Sequence, residues 1–451
     1  MSMTLMLNHS STTLRFSLAS LLLFISSTLS YQEQKPDLRA VCDVIADFGA
    51  AGDNKTEDTV AVTQALRSCS KVVLRAGRTF LLRPVELLSH RHLVVDGTIA
   101  AWRDIKTWPN STHNVCAITG YTTPPSEAVF VPTKEALLWG VGPLLNVEIS
   151  GQGTLDGQGW RWWPLKNDTS HGEYWHNCRP KLMSFGQMNV TKYGSVANLH
   201  VSGVTLQDSP FWTLTGRGLR NATFRSVIVT TRGCGYNEAP NTDGFNLQGE
   251  DVLVEDSFVR NGDDCVPIFP PSQNILVRNV TCTCGNPPVA IIWPASNHIL
   301  GPYPYNVGDV ENVRFDHILL RGTSSGLAIK SLPPFIGRAR NISFTNLVLD
   351  DVKIGMALNF FAQNMAQEVE EVGSSASSVL IENVTGTVSV KGDKHGIGAG
   401  HINCLSTQPC TGLRLVNVTL SSSAPGTQVA AYTCMNANGT YTGCSPAPCG
   451  W

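Results

Sequence analysis

One short pattern returns from about residue 146 onward, and it limits the possible folds more than any other feature of this chain. Its copies include VSGVTL (201–206), FRSVIV (224–229), VEDSFV (254–259), VRNVTC (277–282), FDHILL (315–320), FTNLVL (344–349), IENVTG (381–386) and LVNVTL (415–420). Each copy alternates apolar and polar residues, the period of a strand with one buried face. Each also carries a polar pair, often ending in Asn or Asp, before a β-branched residue. Between matched positions 204, 227, 257, 280, 318, 347, 384 and 418 the steps are 23, 30, 23, 38, 29, 37 and 34 residues. A propeller would need four strands per blade and a nearly constant period. Here the step varies by fifteen residues and no helix of good length intervenes. The pattern predicts an all-β fold, a single-stranded right-handed parallel β-helix. Its strands keep a fixed length, its turns are free to swell, and each coil stacks roughly 4.8 Å above the last. Asn and Asp at recurring turn positions suit left-handed backbone and side-chain ladders.

A solenoid needs closed ends, because an open coil exposes apolar edges. The segment TEDTVAVTQALRSC (56–69) predicts an N-terminal capping helix, with Thr56 as N-cap and Val60, Val62, Ala65 and Leu66 as its apolar face. At the other end, Cys404, Cys410, Cys434, Cys444 and Cys449 predict a disulfide-tied tail of unassigned pairing.

The first thirty residues have no acidic residue and one basic one, Arg15, before an apolar run from Phe16 to Ile25. Thr28 and Ser30 stand at −3 and −1 of a cut before Tyr31, which predicts a signal peptide over 1–30 and one domain over 31–451. The apolar run is too short to span a bilayer, so no membrane association is expected once the signal is removed. The part after Tyr31 keeps all thirteen Cys and holds ten Asn-x-Ser/Thr sequons, at Asn54, Asn110, Asn167, Asn189, Asn221, Asn279, Asn341, Asn383, Asn417 and Asn438. Together these predict a secreted glycoprotein of the extracellular space or cell wall. Several sequons fall inside the strand repeat, so structure explains part of their number. Thirteen is odd, so at least one thiol has no partner within the chain. A formal charge of −2 with only 15% charged residues argues against a nucleic-acid partner, which calls for a basic excess.

The densest polar stretch runs from Ala239 to Phe269. Asp243 follows Asn241 and Thr242, and twenty residues later come Asp263, Asp264 and Cys265. One short coil separates the two groups, so a β-helix stacks them side by side. Carboxylates that close repel if all are ionised, and at least one pKa must rise. Such a site holds an acid and a base together, as glycoside hydrolysis requires. Asp-Gly and Gly-Asp-Asp are also common turn strings, so spacing alone leaves a purely structural role open.

NTDG (241–244) and GDDC (262–265) resemble the signature motifs of the polygalacturonases, glycoside hydrolase family 28, within the pectin lyase-like superfamily. The likeness extends to DFGAAGDNKTEDTVAVTQAL (47–66), to ISGQGTLDGQGWRWW (149–163) and to DSPFWTL (208–214). It covers roughly 45–450. The resemblance implies a right-handed parallel β-helix and inverting hydrolysis of α-1,4-galacturonan or a related pectic polymer, by a monomer needing neither metal nor cofactor. It implies Asp263 as general acid, Asp243 with Asp264 as the groups that activate water, and Asn241 and Lys330 as substrate contacts. Lys330 lies in GLAIKS (326–331), which is similar to the family's R-I-K string. A disulfide from Cys265 to Cys282 or Cys284 is implied in the same way.

Two positions depart from the family pattern. The stretch CTCGNPPVAIIWP (282–294) has Pro287-Pro288 where the family has a G-H-G, and Ala328 stands where R-I-K has its Arg. An arginine grips a carboxylate with two hydrogen bonds and alanine cannot. Three consequences are open: a different pectic sugar, another residue doing the same work, or an inactive β-helix that only binds wall polysaccharide. His298 and His395 are candidates to replace the missing His. Of the ten Trp, packing is expected for most of Trp160, Trp162, Trp163 and Trp175.

Overall fold

The computed structural model describes residues 38–117, 130–167, 178–186, 193–287, 289–292, 308–331, 337–360, 373–389 and 398–450. His298, His395, Trp175 and the segment 1–30 lie outside them.

Among the described residues twenty-eight strands form one parallel array, and a separate antiparallel pair joins Asn110–Ala117 to Phe130–Lys134. Each strand pairs with a strand of the next turn of chain, so the array winds as stacked coils. The register shows why the repeat reads as it does. Ile149, Val201, Phe224, Val254, Val277, Phe315, Phe344, Ile381 and Leu415 are consecutive partners and form one unbroken interior column. Every member is at least 99% buried. Burying a side chain of this size is worth about 1.5–3 kcal/mol, which fixes the register: a one-residue slip would turn the whole column to water. Phe315 and Phe344 stack with ring centres 4.9 Å apart, matching the spacing between coils.

The repeat steps are the coil lengths. Val280 pairs with Ser257 and Ile318, and Val384 with Leu347 and Val418. Within the strands a residue at a bend takes left-handed backbone, among them Asn146, Asn198, Asn221, Asp251, Asn274, Asn312 and Asn341, with φ between 54° and 56°. Their side chains form a ladder up the helix. Asn198 donates to Asn146 and Asn221 to Asn198, each at 2.7 Å, and Asn341 donates to Asn312 at 2.7 Å. A second ladder runs through Asn346, Asn383 and Asn417. Five sequons, at Asn221, Asn279, Asn341, Asn383 and Asn417, are thus rungs of ladders.

The capping helix spans Thr59–Ser68 and buries Val62, Ala65 and Leu66. It begins later than the sequence suggested. Thr56 lies in the strand Asp53–Glu57, where its backbone N–H and hydroxyl both donate to Asp53, and the N-cap position is Asp58. Asp58 is buried because it accepts from the Ala51 and Gly52 amides of the preceding turn. Val60 points to solvent, 68% exposed. A second short helix, Val44–Phe48, is capped by Asp43. Among the described residues no helix is long and apolar enough to cross a membrane.

Disulfides join Cys42–Cys69, Cys116–Cys178, Cys234–Cys284, Cys265–Cys282, Cys404–Cys410 and Cys434–Cys449. Cys444 keeps its thiol. The first bond ties the strand beneath the cap, and the last two tie the tail.

Candidate active site

Asp243 ends the turn before the strand Phe245–Arg260, and Asp263 and Asp264 lie in the turn that follows that strand. One coil of chain therefore brings the three carboxyl groups together. Backbone bonds fix the stacking: Gly244 N donates to Asp264 O at 2.9 Å and Phe245 N to Cys265 O at 3.1 Å. Side chains stitch the two turns. The Asn261 amide donates to Thr242 O at 2.9 Å and to Asp264 O at 3.0 Å. The Thr242 hydroxyl donates to Ala239 O at 2.8 Å and accepts from Gly262 N at 2.9 Å. Gly262 has no room for a side chain, since a Cβ there would sit 1.9 Å from the Ala239 carbonyl oxygen. The Cys265–Cys282 bond anchors the Asp pair to the strand Ser272–Thr283.

Asp243 and Asp264 are buried and Asp263 is partly exposed. Burial first, then the neighbouring Asp263 and Asp264 charges, hold the Asp243 carboxyl well above the usual range. Burial and the Asp264 charge push Asp263 up to about 7, against the pull of Lys330 and of the Asn286 amide. Lys330, on the strand Ala328–Ser331, places its ammonium 2.7 and 3.0 Å from the two oxygens of Asp264. Burial would lower the Lys330 pKa, but the charges of Asp264 and its neighbours outweigh it and raise it. The site thus contains two carboxyls that favour the protonated form and a third locked in an ion pair.

Asn241, held at φ 54°, faces this cluster. It donates to Asp263 Oδ2 at 3.4 Å and accepts from Arg179 Nη2 at 2.8 Å. The four acidic and polar motif residues Asn241, Asp243, Asp263 and Asp264 and the distant Lys330 therefore form one cluster.

Two residues of the cluster were not singled out in the sequence. Asn286 donates to Asp263 Oδ1 at 2.9 Å and accepts from Ser324. It lies 23 residues beyond Asp263, the length of the local coil, so the repeat step could have found it. Arg179, 1% exposed, also donates to the carbonyls of Pro210 and Pro240 at 2.7 and 3.0 Å. It comes from a non-repeating segment, and no spacing signals it. Of the tryptophans, Trp162 and Trp163 are buried, while Trp160 is 37% exposed with the Arg161 guanidinium 4.2 Å from its ring centre. Ala328 is buried on the same strand as Lys330 and supplies no charge.

The fold has known counterparts, and the sequence has relatives. The chain is 28% identical over 280 residues to the polygalacturonase QRT2 of Arabidopsis thaliana, a match that covers 61% of this chain and 57% of that protein. It is 27% identical over 413 residues to an exopolygalacturonase of Cochliobolus carbonum, covering 86% and 83%. Its fold is similar to that of a hyperthermoactive exopolygalacturonase from Thermotoga maritima, with a TM-score of 0.68, 20% identity, and coverage of 91% and 92%. Residues 133–445, more than half of the chain, match the model of the glycosyl hydrolases family 28, and the chain belongs to that family.

Proposed function

We propose that this chain is a secreted glycosidase that hydrolyses α-1,4-galacturonan or a related pectic polymer with inversion at the anomeric carbon. One observation carries the reading: three carboxyl groups meet on adjacent coils, Asp243 and Asp263 with raised pKa values and Asp264 paired with Lys330. Asp263, with its pKa pushed up to about 7, keeps a proton in mildly acidic medium and donates it to the glycosidic oxygen as that bond breaks. Asp264, paired with Lys330, accepts a proton from the water that attacks the anomeric carbon from the opposite face, and Asp243 orients that water. The proton gained by Asp264 then returns to Asp263, its neighbour in sequence. Asn241 and Lys330 contact the sugar, the lysine as a point charge toward a uronate carboxylate.

The family, its polygalacturonase relatives and the six disulfides support the reading, the last because such bonds persist in oxidising compartments. With it go a signal peptide over 1–30, a single domain over 31–451, an extracellular or wall location, and action as a monomer on pectic polysaccharide. The test is to incubate the secreted protein with polygalacturonate and with rhamnogalacturonan, following reducing ends and the anomer first formed. Release of the inverted anomer is expected. Binding to these polymers without release would instead make the chain a wall-polysaccharide binder, the reading favoured by Ala328.

A further inference from the structure

Three side chains stand at the same place on three successive coils. Ser257, Val280 and Ile318 are consecutive register partners, and Asp263, Asn286 and Ser324 each follow one of them by six residues. Their side chains touch in that order. The Ser324 hydroxyl donates to Asn286 Oδ1, and Asn286 Nδ2 donates to Asp263 Oδ1 at 2.9 Å. The backbone holds the same column: Asn286 N donates to Asp263 O at 2.8 Å, and Ser324 N to Gly285 O at 3.0 Å. Gly285 has no room for a side chain, since a Cβ there would sit 2.2 Å from the Asp263 carbonyl oxygen. Two disulfides, Cys265–Cys282 and Cys234–Cys284, clamp the turn that carries Asn286.

This column treats the two oxygens of Asp263 differently. Oδ1 accepts two N–H groups, from Asn286 Nδ2 and from Asp264 N, each at 2.9 Å. Two donors fill the two lone-pair directions of that oxygen. Oδ2 has one partner among the described residues, Asn241 Nδ2 at 3.4 Å. A proton on the carboxyl therefore belongs on Oδ2. That holds only while Asn286 presents its N–H end. The Ser324 hydroxyl has Asn286 Oδ1 as its one acceptor among the described residues, so it favours the amide orientation that supplies it. With the amide turned over, its carbonyl would face Asp263, draw the proton to Oδ1 and withhold it from a leaving oxygen.

We propose that Ser324 and Asn286 are positioning residues for the acid: the Ser324 hydroxyl orients the Asn286 amide, the amide pins Asp263 Oδ1, and the transferable proton is thereby confined to Oδ2. This rests on the hydrolase reading above and deepens it. In the transfer the O–H bond at Oδ2 breaks, its electron pair stays on the carboxylate, and the proton goes to the glycosidic oxygen, which also takes the pair of its breaking bond to the anomeric carbon. The Asn286 N–H then meets a full negative charge, where a hydrogen bond is strongest.

The test follows Ser324→Ala in two ways. Melts with and without Asp263→Asn, between about pH 4 and pH 9, locate the window in which the Asp263 carboxyl loses its proton. Asp264 and Asp243, Lys330, and Arg179, Lys166 and Tyr236 on the Asn241 side also face that carboxyl, and Ser324→Ala leaves all of them in place. The window should move up by about one pH unit in Ser324→Ala, and Ser324→Ala should add nothing once Asn286→Ala is present. Rates give the second readout. On polygalacturonate Ser324→Ala should lower kcat about tenfold with KM unchanged, and on a dinitrophenyl α-galacturonide, whose leaving group departs without a proton, it should lose almost nothing. Ser324→Thr, which keeps the hydroxyl, should recover most of both effects. The proposal is overturned if the window stays where it was, if it moves as far when Asn286 is already replaced, or if the rate falls equally on both substrates, since a rung that is merely structural lowers the melt at every pH and spares neither substrate. Release by the parent with an unmoved window would sink this inference alone. No release by the parent would sink the hydrolase reading, and the melts would still decide whether Ser324 and Asn286 govern the Asp263 proton.

Discussion

Replacing Asp263 by Asn should stabilise this protein at neutral pH while stopping its chemistry. The Asp263 carboxyl has its pKa raised from 3.8 to about 7, by burial and by Asp264. The native state therefore holds its proton more tightly than the unfolded chain does. The unfolded chain loses that proton near pH 4 and the native chain only near 7, so stability falls as pH rises across that window. At about 1.4 kcal/mol per pH unit, the rise amounts to a penalty of about 4 kcal/mol, complete just above pH 7. The amide in the Asp263→Asn variant would carry no charge. Its oxygen can still accept from Asn286 and from the Asp264 backbone N–H, the two shorter contacts at 2.9 Å. Any fixed cost of the exchange cancels when two pH values are compared. Thermal melts of wild type and Asp263→Asn at pH 4 and pH 7.5 should show the variant gaining relative to wild type at the higher pH. The gain should be about 4 kcal/mol at most, seen as a rise of several degrees in Tm. A difference between the two proteins that does not change with pH would refute the argument, because it would mean that Asp263 has the same pKa folded and unfolded.

Other outcomes follow from the same geometry. Asn286→Ala removes a donor that favours the charged form of Asp263, so the alkaline limb of the rate profile should move to higher pH; an unmoved or lowered limb would argue against Asp263 as the acid. Lys330→Met leaves the Asp264 carboxylate, whose side chain is 6% exposed, without its cation. It should cost about 3 kcal/mol in denaturant melts and reduce the rate by two orders of magnitude or more. Cys282→Ser opens a bond between residues 17 apart. It should lower stability by about 3 kcal/mol and reduce activity further than the stability loss explains, through the Asp263–Asp264 turn; full activity in the folded variant would mean the bond does not position that turn.

The winding of the chain was legible because burial and hydrogen bonding act on the same residues. Val204, Val227, Val280, Ile318, Leu347, Val384 and Val418 must face inward once per coil, and the residues just before them, Gly203, Ser226, Asn279, His317, Asn346, Asn383 and Asn417, carry left-handed bends. Hence the spacing of the repeat carries the register of the coils. The carboxyl cluster was legible for a related reason, since Asp243 and the Asp263–Asp264 pair are separated by one coil. Asn286 was legible in principle by the same step. Arg179 was not, since its place depends on a segment without period. The helix start was misread because Thr56 has the chemistry of a cap while Asp58 has the position, its side chain being committed to the turn before it.

The central claim is that Asp243, Asp263 and Asp264 act as one proton-handling unit on a pectic glycosidic bond. The most direct measurement is the initial rate of reducing-end release from polygalacturonate by wild type and by Asp243→Asn, Asp263→Asn and Asp264→Asn, each shown by its melt to be folded. Release by wild type and a loss of about a thousandfold or more in every variant is the expected result. A folded variant that keeps a rate near that of wild type would contradict it.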